Sequence, residues 1–290
     1  MPLVTTREIM EIATEKGYAI GAFNILNELT ARAVVRASEE LAAPVILQTS
    51  VSTVQQIGVE YLAGVLRILG TNAKVPVAIH LDHCREPALA IACVDAGWTS
   101  VMLDASHLPL HENIALTRQV ADYARNKGVS VEGELGAVGG VEDQINVSLN
   151  EAHLVNVADA AVYAHESGID IFAPAIGTAH GLYRGTPELD YERFRAIRKV
   201  VPLPMVIHGG TGLSAEAFLK LIEMGASKIN ISTALKQTYL CSAREFLVRR
   251  SQETDPLRLD AHVERAIREM VKEHIALFGT KGRYMARKAR

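Results

Sequence analysis

Apolar and polar positions along the chain alternate between two periods. Short runs rich in Val, Ile, Leu and Ala occupy 18–24, 45–50, 76–82, 99–104, 129–135, 169–173, 204–208 and 227–231. Each is short and flanked by turn residues, as expected of strands buried from both sides. The stretches 6–16, 27–43, 59–70, 86–96, 111–127, 156–167, 190–200 and 214–224 instead carry apolar residues at helical spacing. Pro44 stops one of these helices, and Gly97, Gly128, Gly168 and Gly225 stand just past four others, where a left-handed cap is expected. Eight strands alternating with helices predict an α/β fold of the (β/α)8 barrel type, the TIM barrel. An open doubly wound sheet is the competing architecture, but no GxGxxG follows the first strand.

Two segments stand outside this repeat. Residues 136–151, GAVGGVEDQINVSLNE, form a long glycine-rich connection after the fifth strand, which predicts a lid over the active face. Near the end, Val263, Ala266, Ile267, Met270, Val271, Ile275 and Phe278 make one apolar stripe on a helix. The expected organisation is a single domain over 1–290, with the barrel at about 18–245 and a C-terminal helical extension at about 258–279.

Composition narrows the function. The net charge of −3 offers no electrostatic footprint for nucleic acid or an anionic membrane. Three scattered cysteines, Cys84, Cys93 and Cys241, do not make a disulfide framework and fit a reducing cytoplasm. The charged amino-terminal segment does not read as a signal peptide, and no apolar run nears the ~18 residues of a membrane span.

The chemistry gathers at the carboxyl ends of the strands, where barrels of this kind place their active sites. The central stretch is VPVAIHLDHC at 75–84, an apolar strand that ends on Asp82 and His83. The other ends supply Asn24, Ser50, Asp104, Glu132 and Glu134, His180, His208, and Asn230 with Ser232 and Thr233. His83, His180 and His208, from three separate strand ends, make a three-nitrogen metal site. A single histidine on an apolar strand is more often a packed residue. His80 and His107 are read that way, and His111, His153, His165, His262 and His274 as surface positions.

These residues lie in five motifs: HLDH at 80–83, VEGELGAVGGVED at 131–143, IGTAHGLY at 176–183, HGGTG at 208–212 and KINIST at 228–233. In this order the set resembles the class II, metal-dependent fructose- and tagatose-bisphosphate aldolases, and the compact chain looks closer to the tagatose-type branch. The resemblance implies a zinc-dependent lyase, a homodimer or homotetramer. It would cleave a ketose 1,6-bisphosphate into dihydroxyacetone phosphate and glyceraldehyde 3-phosphate. It assigns catalytic Zn2+ to His83, His180 and His208, with Asp104 and Glu134 as a second, inner resting place for the ion. It makes Asp82 the acid working on the aldehyde half and Glu142, in the lid, the group moving the proton on the ketone-derived carbon. Gly181, Gly209, Gly210, Thr211, Ser232 and Thr233 match the ketone's phosphate site, with Na+ or K+ near Gly181 and Gly209. Asn230 matches a contact to substrate hydroxyls, and Asn24 and Ser50 the aldehyde side.

One position departs from the family. An arginine often follows an Asp-Pro pair and grips the second phosphate, commonly from a neighbouring subunit. Here Asp255-Pro256 is followed by Leu257 and then Arg258, so either Arg258 takes the task or the substrate's far end carries no phosphate. Other classes remain as alternatives. A metal hydrolase on this fold would usually recruit a carboxylate ligand, and a non-catalytic aldolase-like subunit would be expected to lose ligands. A Schiff-base aldolase needs a lysine at a strand's carboxyl end, whereas Lys74 and Lys228 are expected at strand starts, away from the active face.

Overall fold

The computed structural model describes residues 3–142, 145–147, 153–181, 183, 185 and 187–284, with backbone only for 141, 142 and 145–147. The strands are β1 (Ile20–Asn24), β2 (Val45–Ser50), β3 (Val77–Cys84), β4 (Ser100–Leu103), β5 (Ser130–Leu135), β6 (Gly139–Glu142), β7 (Ile145–Val147), β8 (Ile171–Pro174), β9 (Ala179–His180), β10 (Met205–Ile207) and β11 (Ala226–Ile231). The helices are α1 (Thr6–Lys16), α2 (Glu28–Glu40), α3 (Val51–Ile57), α4 (Val59–Asn72), α5 (Pro87–Ala96), α6 (Leu110–Arg125), α7 (Val157–Glu166), α8 (Tyr191–Val200), α9 (Ala215–Glu223), α10 (Thr233–Arg249) and α11 (Pro256–Leu277).

Eight of the strands close into one parallel barrel in the order β1-β11-β10-β8-β5-β4-β3-β2. This is a (β/α)8 TIM barrel, as the alternating pattern predicts. Strand boundaries fall within two residues of the expected ones. Sequence periodicity does not reveal α3, a two-turn helix capped by Ser50, nor the small sheet β7-β6-β9 above the barrel.

The barrel is closed at one end and chemically equipped at the other. Helix α1 begins in a capping box, Thr5 with Glu8, and ends at Gly17 in the left-handed region. Its Ile9 and Ala13 pack on Ile20, Ala22, Ile46 and Ala78, and its Met10 on Ile171, Ala173 and Val206. Those strand residues point into the barrel, so α1 plugs the floor. Further along the strands the interior turns polar: Gln48, His80, Ser100, Glu132 and Lys228 are all fully buried. One more step brings Asn24, Asp82, Glu134 and Asn230 to the mouth. The main apolar core lies outside this column, between the strands and the helices.

Helix α11 binds the barrel through α2. Arg32 and Arg36 pair with Glu264, and Glu40 with Arg268 and Lys272. The two helices therefore run parallel, away from the strand-end face. Given these pairings, α11 starts about two residues, or roughly 3 Å, above the start of α2. Helix α10 packs along it, with Phe246 and His262 rings 5.3 Å apart. Among the described residues no helix is long and apolar enough to cross a membrane.

Candidate metal and substrate centre

Three local features turn the histidines toward one point. In β3 the backbone of His83 is left-handed, with φ 47°, and the β3–β4 register shifts between Leu81 and Cys84. A regular strand would send Asp82 and His83 to opposite faces; the bulge brings both to the mouth. His180 lies in β9, whose partner is β6, with Gly140 opposite His180. A Cβ on Gly140 would stand 2.2 Å from the His180 carbonyl oxygen, so only glycine permits this approach. His208 follows β10 directly. Gly209, at φ 65°, would likewise drive a Cβ to 2.3 Å from the Ala179 carbonyl oxygen.

The three imidazoles are buried, and one nitrogen from each lies within 4.8 Å of the others. Ring centroids are 4.5 Å apart for His83 and His208, 4.8 Å for His83 and His180, and 6.0 Å for His180 and His208. The remote nitrogens of two rings are committed to carboxylates. His83 Nδ1 lies 3.0 Å from Asp104 Oδ2, and His208 Nε2 lies 2.8 Å from Glu132 Oε1. Their remaining nitrogens, His83 Nε2 and His208 Nδ1, face each other at 2.7 Å. Carboxylates behind the rings, with the opposite nitrogens converging in front where an ion can displace the proton between them, are an arrangement that suits a divalent metal. The donor set therefore fits a three-histidine ion of the zinc type.

The electrostatics follow from burial and neighbours. Burial pushes the pKa of His180 down to about 3, and the charge of His83 adds to this. His208 is lowered well below the ordinary range for the same reasons. At His83 burial also opposes the charge, but Asp82 and Asp104 outweigh it and hold the pKa well above 6.5. Asp104 is held low despite its burial, because His83 and Ser106 hydrogen-bond to it. Burial beside Asp104 raises Glu134 to about 8. Glu134 Oε2 lies 3.7 Å from His208 Nδ1 and Asp104 Oδ2 3.0 Å from His83 Nδ1, so both carboxylates adjoin the triad.

Asp82 is fixed by two amides. Asn24 Nδ2 donates to Oδ2 at 2.9 Å and Asn230 Nδ2 to Oδ1 at 3.3 Å, while Gln48 Nε2 donates to Asn24 Oδ1 at 2.7 Å. Ser50 pairs in register with Asp82 across β2 and β3. Gly181, Gly209, Gly210, Thr211, Asn230, Ser232 and Thr233 line one cleft with His180. That cleft opens onto the amino terminus of α10, a ready anion site. Tyr183 stiffens its rim, as its hydroxyl donates to the Gly209 carbonyl at 2.8 Å and accepts from Ala179 N at 3.0 Å.

Some expectations end differently. Glu142 closes β6, but its side chain lies outside the described residues, as do parts of the proposed lid. Arg258 is not brought to the site within one chain; it is exposed on the projecting start of α11 and pairs with Glu253 at 3.1 Å. His107 is exposed rather than packed. His274 is half-buried between Phe23 and Phe278 rather than at the surface. Lys228 does not flank a strand start: it lies inside β11, fully buried in the barrel, because closure sets it opposite Ile20. Sequence reasoning also passed over Gln48, Tyr183 and the joint use of Glu132 and Lys228.

Comparison with known proteins agrees with this geometry. A family model described as fructose-bisphosphate aldolase class-II matches residues 4–283. A protein named fructose-bisphosphate aldolase from Staphylococcus aureus is 39% identical over 98% of this chain and 99% of its own length. Among solved structures, the YdjI aldolase of Escherichia coli K12 superposes with a TM-score of 0.86 at 31% identity, covering 98% of this chain and 100% of its own. A putative fructose-1,6-bisphosphate aldolase from Coccidioides immitis gives a TM-score of 0.88 at 26% identity, covering 96% and 97%.

Proposed function

Because this chain belongs to the family of class-II fructose-bisphosphate aldolases, we propose that it is a metal-dependent lyase. It would reversibly cleave a ketose 1,6-bisphosphate to dihydroxyacetone phosphate and glyceraldehyde 3-phosphate. The observation that carries this reading is the buried triad His83, His180 and His208 beside an anchored carboxylate, Asp82. The fructose substrate is favoured because relatives bear that name; tagatose bisphosphate and a ketose lacking the second phosphate belong in the same assay panel. Cytoplasmic glycolysis is the setting this substrate implies.

His83, His180 and His208 would hold the ion, with Asp104 and Glu134 as its inner resting place. A bound Zn2+ would supply an electrophile for the substrate's ketone and hydroxyl oxygens and offset the negative charge that develops on carbon–carbon cleavage. Asn24 and Asn230 aim the Asp82 carboxylate at the mouth, where it takes the proton from the hydroxyl that becomes the aldehyde and returns it in condensation. Gly181, Gly209, Gly210, Thr211, Ser232 and Thr233 hold the ketone's phosphate through backbone N–H groups and hydroxyls. Na+ or K+ near Gly181 and Gly209 would balance it. Asn230 and Ser50 orient the remaining substrate hydroxyls.

Glu142 is two residues beyond Gly140, whose strand pairs with the one bearing His180. That pairing supports the lid's return to the triad and Glu142 as the group that moves the proton on the ketone-derived carbon. Arg258 is the candidate for the second phosphate of a neighbouring subunit. The projecting α10–α11 pair exposes Leu240, Leu247, Val248 and Leu257, which favours a homodimer or homotetramer. The test is a cleavage assay over ketose mono- and bisphosphates, before and after chelation and after zinc is restored. Full turnover in metal-free protein refutes the metal-dependent reading.

A further inference from the structure

Beneath the mouth, β5 and β11 bring a carboxylate and an ammonium together with no exposure to solvent. Lys228 Nζ donates to Glu132 Oε2 at 2.9 Å, and Glu132 Oε1 accepts from His208 Nε2 at 2.8 Å. His80 Nε2 also lies 3.5 Å from Glu132 Oε2, and its Nδ1 lies 2.8 Å from Ser100 Oγ. We propose that Lys228 is a positioning residue, which through Glu132 holds His208 in the tautomer whose Nδ1 lone pair faces the triad.

Donor and acceptor counts carry this role, given the metal-binding reading above. A neutral imidazole carries its proton on one nitrogen only. Glu132 as a carboxylate has acceptors alone, so His208 must present N–H to it from Nε2. Nδ1, 2.7 Å from His83 Nε2, then keeps its lone pair toward the metal position. An ammonium has donors alone, so Lys228 occupies the second carboxylate oxygen. Lys228 therefore fixes Glu132 with Oε1 turned to His208, without touching the metal, the substrate or any reacting atom.

Glu132→Gln exposes this logic. Lys228 can only donate, so it claims the amide oxygen and turns the NH2 toward His208 Nε2. That nitrogen must then accept, and the proton moves to Nδ1, where it blocks the ion. The same tautomer error disables the serine-protease triad when its aspartate becomes asparagine. Zinc affinity should fall by about 10- to 100-fold, the usual effect of losing a partner behind a ligand. Adding Lys228→Met releases the amide, which can flip and accept from Nε2, so the double variant should regain most of the lost affinity.

The experiment is competition with a chromophoric chelator on zinc-loaded wild type, Glu132→Gln and Glu132→Gln/Lys228→Met, with thermal melts of each apoprotein. Side-chain 15N spectra of zinc-loaded wild type report the tautomer independently of folding in the variants. They should show one ligand ring protonated at Nε2 and bound through Nδ1. A Glu132→Gln variant with wild-type zinc affinity, a double variant no better than the single, or spectra with every ligand ring bound through Nε2 would each overturn the role of Lys228. Wild type that takes up no zinc would instead overturn the metal-binding reading itself.

Discussion

Asp82 offers the sharpest test of the proposed chemistry. It adjoins His83 in sequence, yet its own oxygens are taken by Asn24 at 2.9 Å and Asn230 at 3.3 Å, not by the triad. Asp82→Asn keeps the shape and one acceptor oxygen, and replaces the other oxygen with a donor. One of the two facing amides then loses its acceptor, at a cost of about 1–3 kcal/mol in stability for a buried group. The three imidazoles keep their places, so zinc content should stay at one ion per chain. Turnover should collapse, since an amide neither takes nor returns the proton of the nascent aldehyde. A positioned acid–base group is typically worth ~10²–10⁴-fold, or about 3–5 kcal/mol of barrier. Cleavage coupled to triose-phosphate reduction measures this directly, with metal analysis on the same sample. Exchange of the ketone-carbon proton of dihydroxyacetone phosphate, which does not involve the aldehyde, should survive far better than cleavage. A loss of cleavage below about tenfold with unchanged pH dependence refutes the role, and so does a proportional loss of zinc.

The remaining expectations concern the ion, the lid and Arg258. His83 in the metal-free protein is held well above its ordinary pKa, so it stabilises the apoprotein below pH ~6.5 and that contribution is lost as pH rises through its folded value. Zinc must displace this proton, so uptake near neutral pH should release about one proton, and affinity should rise about tenfold per pH unit; calorimetry in buffers of different ionisation enthalpy would show a flat response if this is wrong. Glu142→Ala should slow exchange of the ketone-carbon proton without altering zinc content, and unaltered exchange would move that proton to another group. Arg258→Ala should raise KM for a bisphosphate by about 10- to 150-fold, a charge-assisted phosphate contact of roughly 1.5–3 kcal/mol. It should leave a ketose 1-phosphate nearly untouched, and equal effects on both substrates would remove Arg258 from the phosphate site.

The barrel was legible because its determinants are local. Strands buried on both faces read as apolar runs, and helix ends carry their caps, so eight units can be counted from periodicity alone. The strand-end histidines were legible for a related reason: in this fold the end of each strand meets the ends of all the others. The small sheet was not legible, because β9 is two residues long and its pairing with β6 depends on Gly140 approaching His180. Nothing in the local pattern marks that contact except the glycines. Helix α3 hides because Ser50 ends a strand and caps a helix at once, with no loop between them to signal the change.

Lys228 shows where local reading stops. Its neighbours in KINIST are apolar or strand-forming, and a lysine beside a strand start is ordinarily a solvated end. Its placement depends on a stagger that only closure fixes: β11 joins β1 with Lys228 opposite Ile20, and Ser130 faces Ser100 across β4 and β5. Inward-pointing positions then fall into levels, and the polar level beneath the mouth receives Lys228 together with Glu132 and His80. Each of these residues is costly to bury by itself; Glu132 Oε2 accepts from Lys228 at 2.9 Å and has His80 Nε2 3.5 Å away. A buried cation in a barrel strand is therefore a question about register before it is one about chemistry. Once the register is known, the ion pair behind His208 reads as support for the proposed metal site rather than as an anomaly of the core.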